Sequence, residues 1–397
     1  MRRLFVLSCG FYLLIGITSV ILGPLLPTLL KHYERNYSDG GTLLFLQFIG
    51  FLVGVLVSPM ISARLGRKTM LLIALISIAA AAAVIGFLPA WAWVIAMTLC
   101  IGFGSGMIES SIGAFTIEFA EQGKAVAMTK LDVYFGVGAL LIPIAASLYI
   151  RFDVWQFTFF STSAITLVLM LLWMTMPAES SRLLRIQSAE SPDVPAEKKR
   201  YHRKQIIVLT IFVVFFFVYM GLELGLMNFL PSILIETTSV NESLASLSVT
   251  MLWVAMVIGR LFVGKIAESI RYIPFLLWST LGTLFFTIAM LVISNEIATY
   301  LLIFAIGIFM SGLFSITLVY ANSLIPGMTE RTTSILIAAG GIGGAVLQYG
   351  IGWGMTRWPA ISAIWILAGF SFVLLLAIGL SHQWNVRSKS SDSSFTI

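Results

Sequence analysis

Charged side chains are scarce in this chain. Asp, Glu, Lys and Arg make up 11% of its 397 residues, against about 25% in ordinary soluble domains. Because 59% of the residues are hydrophobic, no water-soluble fold could hide its apolar surface. Cysteine is nearly absent, and Cys9 and Cys100 both fall inside apolar runs, with neither a metal-ligand spacing nor a disulfide framework. The few histidines, His32, His202 and His382, lie in loops or at helix ends. No nucleotide-binding loop, metal constellation or nucleophile–base arrangement occurs, which argues against an enzyme and implies no cofactor.

What the chain has instead is a series of long apolar runs. A membrane-spanning helix needs about 20 mainly apolar residues, and twelve stretches meet that length: 4–30, 41–63, 69–88, 92–118, 126–150 and 155–176, then 206–235, 243–266, 273–293, 298–323, 333–356 and 358–381. The expected fold is therefore all-α, a polytopic membrane protein of twelve helices. It divides into an N-terminal six-helix bundle (1–176), a linker rich in Ser, Pro, Glu and Lys (177–205), a C-terminal six-helix bundle (206–381) and a polar tail (382–397). Arg2 and Arg3 ahead of an apolar run resemble a signal peptide, with Cys9 as a lipoprotein-like cysteine. The apolar stretch before Cys9 is too short for a cleavable core of about 7–15 residues, so it reads as an uncleaved first helix.

Orientation follows from Lys and Arg, which concentrate in cytoplasmic loops. With the N-terminus inside, only Lys31, Arg35, Arg151 and Arg357 fall outside; Arg260 lies within a span, and all other basic residues are inside. Both termini are expected in the cytoplasm. The same distribution explains the pI of about 9.3 without a nucleic-acid partner.

The chain also repeats itself. A shift of about 205 residues lays Leu25-Leu26-Pro27 over Phe229-Leu230-Pro231, the Gly54 region over the Gly259 region, and Gly136-Val137-Gly138 over Gly341-Ile342-Gly343. Two parallel six-helix repeats suit a central site that opens alternately to either side, and the glycines suit close helix packing.

Several stretches carry a family likeness. Arg64-Leu65-Gly66-Arg67-Lys68 matches the end of a basic loop between helices 2 and 3, with Pro59 and Ala63 departing from the pattern; Gly264-Lys265-Ile266-Ala267-Glu268 keeps the glycine and the acid in the second half. With these, the chain resembles the major facilitator superfamily over essentially its full length. Phe45 to Phe51, Gly106 to Gly113, Lys130 to Gly136, Gly221-Leu222-Glu223, Asn228 to Ser232 and Trp253 to Arg260 resemble the glucose/mannose:proton symporters of Gram-positive bacteria, within the fucose/hexose proton-symporter group.

Buried charge supplies the candidate site. Glu109 lies midway along the fourth apolar run with no base between Trp91 and Lys124, where a charge costs roughly 2.5–3.5 kcal/mol even on the lenient scale. Burial disfavours the ionised form, which lets such an acid exchange a proton; the alternative is a permanently neutral Glu109 bonded to Ser110 or a neighbouring helix. The family likeness implies that the acid at Glu109 serves both proton coupling and sugar binding. Glu223 is similarly deep and is a second proton-coupling candidate, unless it merely pairs with Arg260 to lock two helices. Asp132 is a third, although an exposed pair with Lys130 is the plainer reading. Arg260, the sole base inside a span, needs a partner and could serve gating, as could Glu268, Arg64 and Arg67.

Gln47, Asn228, Trp253 and Gln348 join Glu109 as substrate-binding candidates, because sugars offer hydroxyls to amides and an apolar face to an aromatic ring. The expected function is proton-coupled uptake of a glucose- or mannose-like hexose across the cell membrane by alternating access. The expected partners are a small solute, a proton and membrane lipid, in a fold able to work as a monomer. Proton-driven export of a drug or small metabolite is the alternative, although the fifth helix lacks the Gly-Pro signature of the superfamily's drug antiporters. A sensor or scaffold fits less well, since the linker and tail are short.

Overall fold

A computed structural model of the protein describes residues 2–119, 124–175, 201–238, 240–293, 295–325 and 328–393. Most of the expected linker, 177–200, lies outside them. The described residues form α1 (Arg2–Val20), α2 (Leu22–His32), α3 (Tyr37–Leu65), α4 (Arg67–Gly86), α5 (Trp91–Phe119), α6 (Lys124–Arg151) and α7 (Phe157–Met174). After the linker come α8 (Arg203–Thr238), α9 (Glu242–Ile270), α10 (Tyr272–Ala289), α11 (Glu296–Met310), α12 (Leu313–Leu324), α13 (Thr329–Arg357) and α14 (Ile361–Ser393). Because α1 with α2 and α11 with α12 each make one apolar element, twelve elements are long and apolar enough to cross a membrane. The expected all-α polytopic fold is what the chain adopts.

The helices extend beyond the apolar runs because capping, not hydropathy, sets their ends. The α3 helix begins before residue 41: the Asn36 side chain accepts from the Asp39 amide at 2.9 Å while Asp39 accepts from the Asn36 amide at 3.3 Å, a reciprocal cap. Asn241 and Asn295 start α9 and α11 the same way, accepting from the amides of Leu244 and Ala298. The last helix passes the expected end at 381 and reaches Ser393, since no Pro or Gly follows Gly379 to stop it.

Two spans are interrupted, each for an identifiable reason. The α1/α2 break at Ile21 lies just before Pro24, which has no N–H and crowds the carbonyl four residues back. The α11/α12 break falls on Ser311-Gly312, a Gly/Ser pair of the kind that kinks helices.

The chain divides into two compact units: Met1–Pro195 with Asn241–Thr250, and Ala196–Val240 with Met251–Ile397. In the first, Phe11, Leu14, Leu71, Ala74, Ile78, Met107 and Trp173 form a buried core, with Phe11 edge-on to Trp173 at 5.3 Å. In the second, Phe216 meets Phe314 edge-on at 5.2 Å and Phe212 meets Tyr320 at 5.8 Å. The apolar excess faces outward: Leu56 is 72% exposed and Leu261, 205 positions later, 71%. That surface is what lipid requires.

The repeat holds contact by contact. A Cβ added at Gly54 would collide with the carbonyl oxygen of Phe103, and one at Gly102 with that of Gln47. In the second unit, 205 residues on, a Cβ at Gly259 would meet Ser311 and the Ile308 carbonyl, and one at Gly307 would come within 2.7 Å of the Leu252 carbonyl. Likewise Gly138 lies against the backbone of α1 at Leu13, and Gly343 against that of α8 at Phe217. Between lipid-embedded helices there is little hydrophobic drive, so backbone approach through small residues supplies the contact.

The loop expected around Gly66 is reduced to that one residue, at φ 79° and ψ 151°. At the corresponding place between α9 and α10 stands Arg271, at φ 72° and ψ 154°. That region belongs almost entirely to glycine and costs another residue about 1–3 kcal/mol.

Gly54→Ala is expected to lower the unfolding temperature of detergent-purified protein by an amount equivalent to about 1–3 kcal/mol. Gly350→Ala, where nothing lies within 4 Å and alanine is the better helix former, should leave it unchanged or raise it slightly. Equal behaviour of the two variants in a thermal-unfolding assay would refute the packing role.

Candidate functional site

The sequence candidates fall into separate groups within the two units. In the first unit, Gln47 on α3 donates through Nε2 to the carbonyl of Thr18 at 2.8 Å, three residues before the α1/α2 break. Thr18 in turn shares a hydrogen bond with Ser105 of α5 at 2.8 Å. The half-buried Gln47 is thus tied to the last turn of α1, just ahead of the break in the first span, and a discontinuous span is a frequent element of transporter sites. Its backbone carbonyl packs on Gly102 of α5. Glu109 lies on the same helix, seven residues further and so about 10 Å along the axis, and is half-buried.

Asp132 lies on α6, and its side chain is outside the described ones. Arg64 is exposed at the end of α3, whereas Arg67, the first residue of α4, is buried at 8% exposure.

In the second unit two groups form. The first joins α8 and α9: Arg260 Nη2 stands 3.8 Å from Glu223 Oε1, and its guanidinium carbon lies 5.7 Å from the centre of the Trp253 ring. Trp253 and Arg260 are seven residues apart on α9, hence on one face. Tyr219 lies one turn before Glu223 on the same helix. At 3.8 Å the pair is an ion pair rather than a hydrogen bond, and the Arg260 side chain remains 43% exposed. Glu268, two turns further along α9, is exposed.

The second group is an amide pair between α8 and α13. Asn228 Nδ2 donates to Gln348 Oε1 at 2.6 Å and to the Leu224 carbonyl at 3.1 Å, while Gln348 Nε2 donates to the Gly344 carbonyl at 2.9 Å. Both residues are at least 97% buried, and Asn228 Oδ1 has no hydrogen-bond partner among the described residues. A buried acceptor left open is uncommon and is chemically suited to a hydroxyl donor.

Three participants went unnoticed in the sequence. Tyr219 was discoverable from its i, i+4 relation to Glu223. The Thr18 carbonyl was not, since which helical carbonyl receives a side chain from another helix depends on how the two helices are rotated. The third is Glu242, which accepts from Thr28 at 2.6 Å and from Lys31 at 2.8 Å within the first unit; its position at a span boundary hid the pairing.

Known proteins place this architecture. The model of the Major Facilitator Superfamily matches residues 8–346. This chain belongs to that superfamily. Its membership makes it a transporter, not an enzyme. Among curated proteins it is 30% identical over 395 residues to the glucose/mannose transporter GlcP of Bacillus subtilis (strain 168), covering 99% of this chain and 97% of that one. It is 22% identical to the TsgA homolog of Buchnera aphidicola, covering 92% of each. The fold matches the crystal structure of a D-xylose-proton symporter with a TM-score of 0.75 at 13% identity, over 95% of this chain and 97% of that one. The nucleoside transporter NupG matches with a TM-score of 0.73 at 14% identity, over 96% and 98%. At such identities the solved structures speak for the fold alone.

Replacing Asn228 or Gln348 by Leu should destabilise the protein, and the double replacement should do so by less than the sum. The expected coupling is about 1 kcal/mol, within the range found between membrane helices. A double-mutant cycle on thermal unfolding measures it, and strict additivity would show that the amides do not support one another.

Proposed function

We propose that this chain takes up a glucose- or mannose-like hexose together with a proton, in a cell membrane, by alternating access between two six-helix bundles (1–176 and 206–381) joined by the 177–205 linker. The observation that carries this reading is the 30% identity to the glucose/mannose transporter across 99% of the chain. The distribution of Lys and Arg supports cytoplasmic termini.

Glu109 is the proposed proton-coupling and sugar-binding group. A carboxylate at mid-membrane is costly when ionised, so its occupancy by a proton responds readily to what binds beside it. Gln47 adds a hydrogen-bonding amide. Asn228 and Gln348 serve the sugar by exchanging their mutual bond for bonds to hydroxyls, with the open Asn228 acceptor engaged first. Trp253 offers a ring face.

Glu223 and Arg260 form the second charged element. Because the Arg260 side chain is partly exposed and also stacked on Trp253, loss of its pairing would free Glu223 for a proton, which makes the pair a reserve coupling site as well as a helix tether. Asp132 is a further proton-coupling candidate near the cytoplasmic end of its helix, and Arg64, Arg67 and Glu268 are assigned, with Arg260, to gating. If one proton enters per sugar, a membrane potential of roughly 150 mV supplies about 3.5 kcal/mol, enough for a gradient of a few hundredfold.

In proteoliposomes under an inward proton gradient, labelled glucose or mannose should accumulate above equilibrium. Glu109→Gln should abolish accumulation while leaving downhill exchange. Absence of uptake by preparations that bind sugar would overturn the coupling; proton-driven accumulation of a lipophilic cation in inverted vesicles, without sugar transport, would replace uptake by export. Uphill uptake untouched by Glu109→Gln would move the coupling to Glu223 or Asp132.

A further inference from the structure

A cleft of about 1070 Å³ opens in the second unit where α10 begins, α12 ends and α14 passes. Leu277, Leu281 and Leu375 line its wall, and its polar groups include Arg271, Tyr272 and His382 beside the hydroxyls of Tyr320 and Ser323. Among the described residues no Asp or Glu lines it, so its electrostatic character is that of a base beside an apolar slot. On the α10 side, Trp278 is 66% and Leu281 44% exposed, and exposed apolar residues of this membrane-spanning helix face hydrocarbon, so the cleft is open toward lipid.

Arg271 is the second observation. It occupies a backbone conformation that glycine alone adopts without strain, and Gly66 holds the same conformation in the first unit. The second unit tolerates that strain and in return places an exposed guanidinium on the rim of an apolar cleft. Packing does not explain the arginine, since the side chain is exposed.

We propose that this cleft binds an anionic phospholipid, with an acyl chain along Leu277, Leu281 and Leu375 and the headgroup phosphate held by Arg271 with His382 and Tyr272 beside it. Guanidinium groups are well suited to phosphate oxygens, and basic pockets between membrane helices on the cytoplasmic side are suited to anionic headgroups. The basic loops assign this end of the helices to the cytoplasmic side. A water-soluble phosphate would leave the apolar wall unused, so the occupant is lipid.

The test is thermal unfolding of the purified full-length protein in detergent, with added phosphatidylglycerol or with phosphatidylcholine of the same acyl chains. A lipid that binds only the folded state raises its unfolding temperature. Phosphatidylglycerol should raise it by about 2 °C or more beyond phosphatidylcholine. Arg271→Gln and Arg271→Gly should both erase the difference, the glycine variant being the more stable of the two without lipid, and Arg271→Lys should retain most of it. Equal shifts from the two lipids, a difference preserved in Arg271→Gln, or the full shift from glycerol 3-phosphate would each overturn the site. Should the Arg271 variants not fold, a photoactivatable phosphatidylglycerol on the unaltered protein should label α10, α12 or α14 around the cleft; labelling confined to other helices would equally refute it.

Discussion

A helix in hydrocarbon has no water to satisfy a stray backbone group and little hydrophobic drive toward its neighbours. Everything in this structure answers that constraint. Backbone polarity is closed within helices, and helices meet where glycine removes the side chain between them. Gly54 with Phe103 and Gly102 with Gln47 bring α3 and α5 together in the first unit, and equivalent positions join α9 to α11 in the second. Side-chain hydroxyls follow the same rule: Thr162 and Thr166 donate to carbonyls one turn earlier on α7, as Thr280, Thr283 and Thr287 do on α10. A polar residue so occupied needs no outside partner.

Against that background, groups that are not so closed are the ones to which the proposed function assigns solute and proton binding. The Thr18 carbonyl beside the α1/α2 break receives Gln47 rather than only its own helix. Asn228 keeps a buried amide acceptor open beside its bond to Gln348. Glu223 and Arg260 are ionisable groups set where charge is expensive, and they face one another. The proposed coupling function depends on these exceptions, since a span whose polar groups were all satisfied internally would have nothing to offer a sugar hydroxyl or a proton.

The duplicated halves share packing but differ in detail, and the differences fall where chemistry is expected. The first span breaks in one half, whereas the interruption in the other falls on its fourth span. Phe314 stands 205 residues after Glu109, so the acid of the first unit has an aromatic counterpart packed against Phe216 in the second. Arg271 in place of a glycine is a third departure. Packing repeats because the backbone contacts constrain both units alike; chemistry need not repeat when one copy suffices.

Much of the fold was legible in the sequence. Apolar run length determined the number and approximate limits of the spans, because hydrocarbon thickness permits few alternatives, and the 205-residue shift marked glycines that turned out to share packing roles. Glu109, Glu223 and Arg260 were recognisable as candidates because charge in an apolar run is costly wherever the helix points. Tertiary structure decided what each could touch: that Arg260 meets both Glu223 and Trp253, that Asn228 finds Gln348 120 residues away, that Glu242 takes Lys31 and Thr28. Those partnerships depend on helix rotation and on breaks at single residues, and hydropathy is blind to both. Hydropathy also missed the helix ends, which are set by local hydrogen bonds from Asn36, Asn241 and Asn295. The sequence by itself determined that the chain crosses a membrane and where charge is buried, because the bilayer imposes those costs on any arrangement; only the tertiary structure decided which buried groups are paired and which stay open, because pairing requires specific distances between helices far apart in the chain.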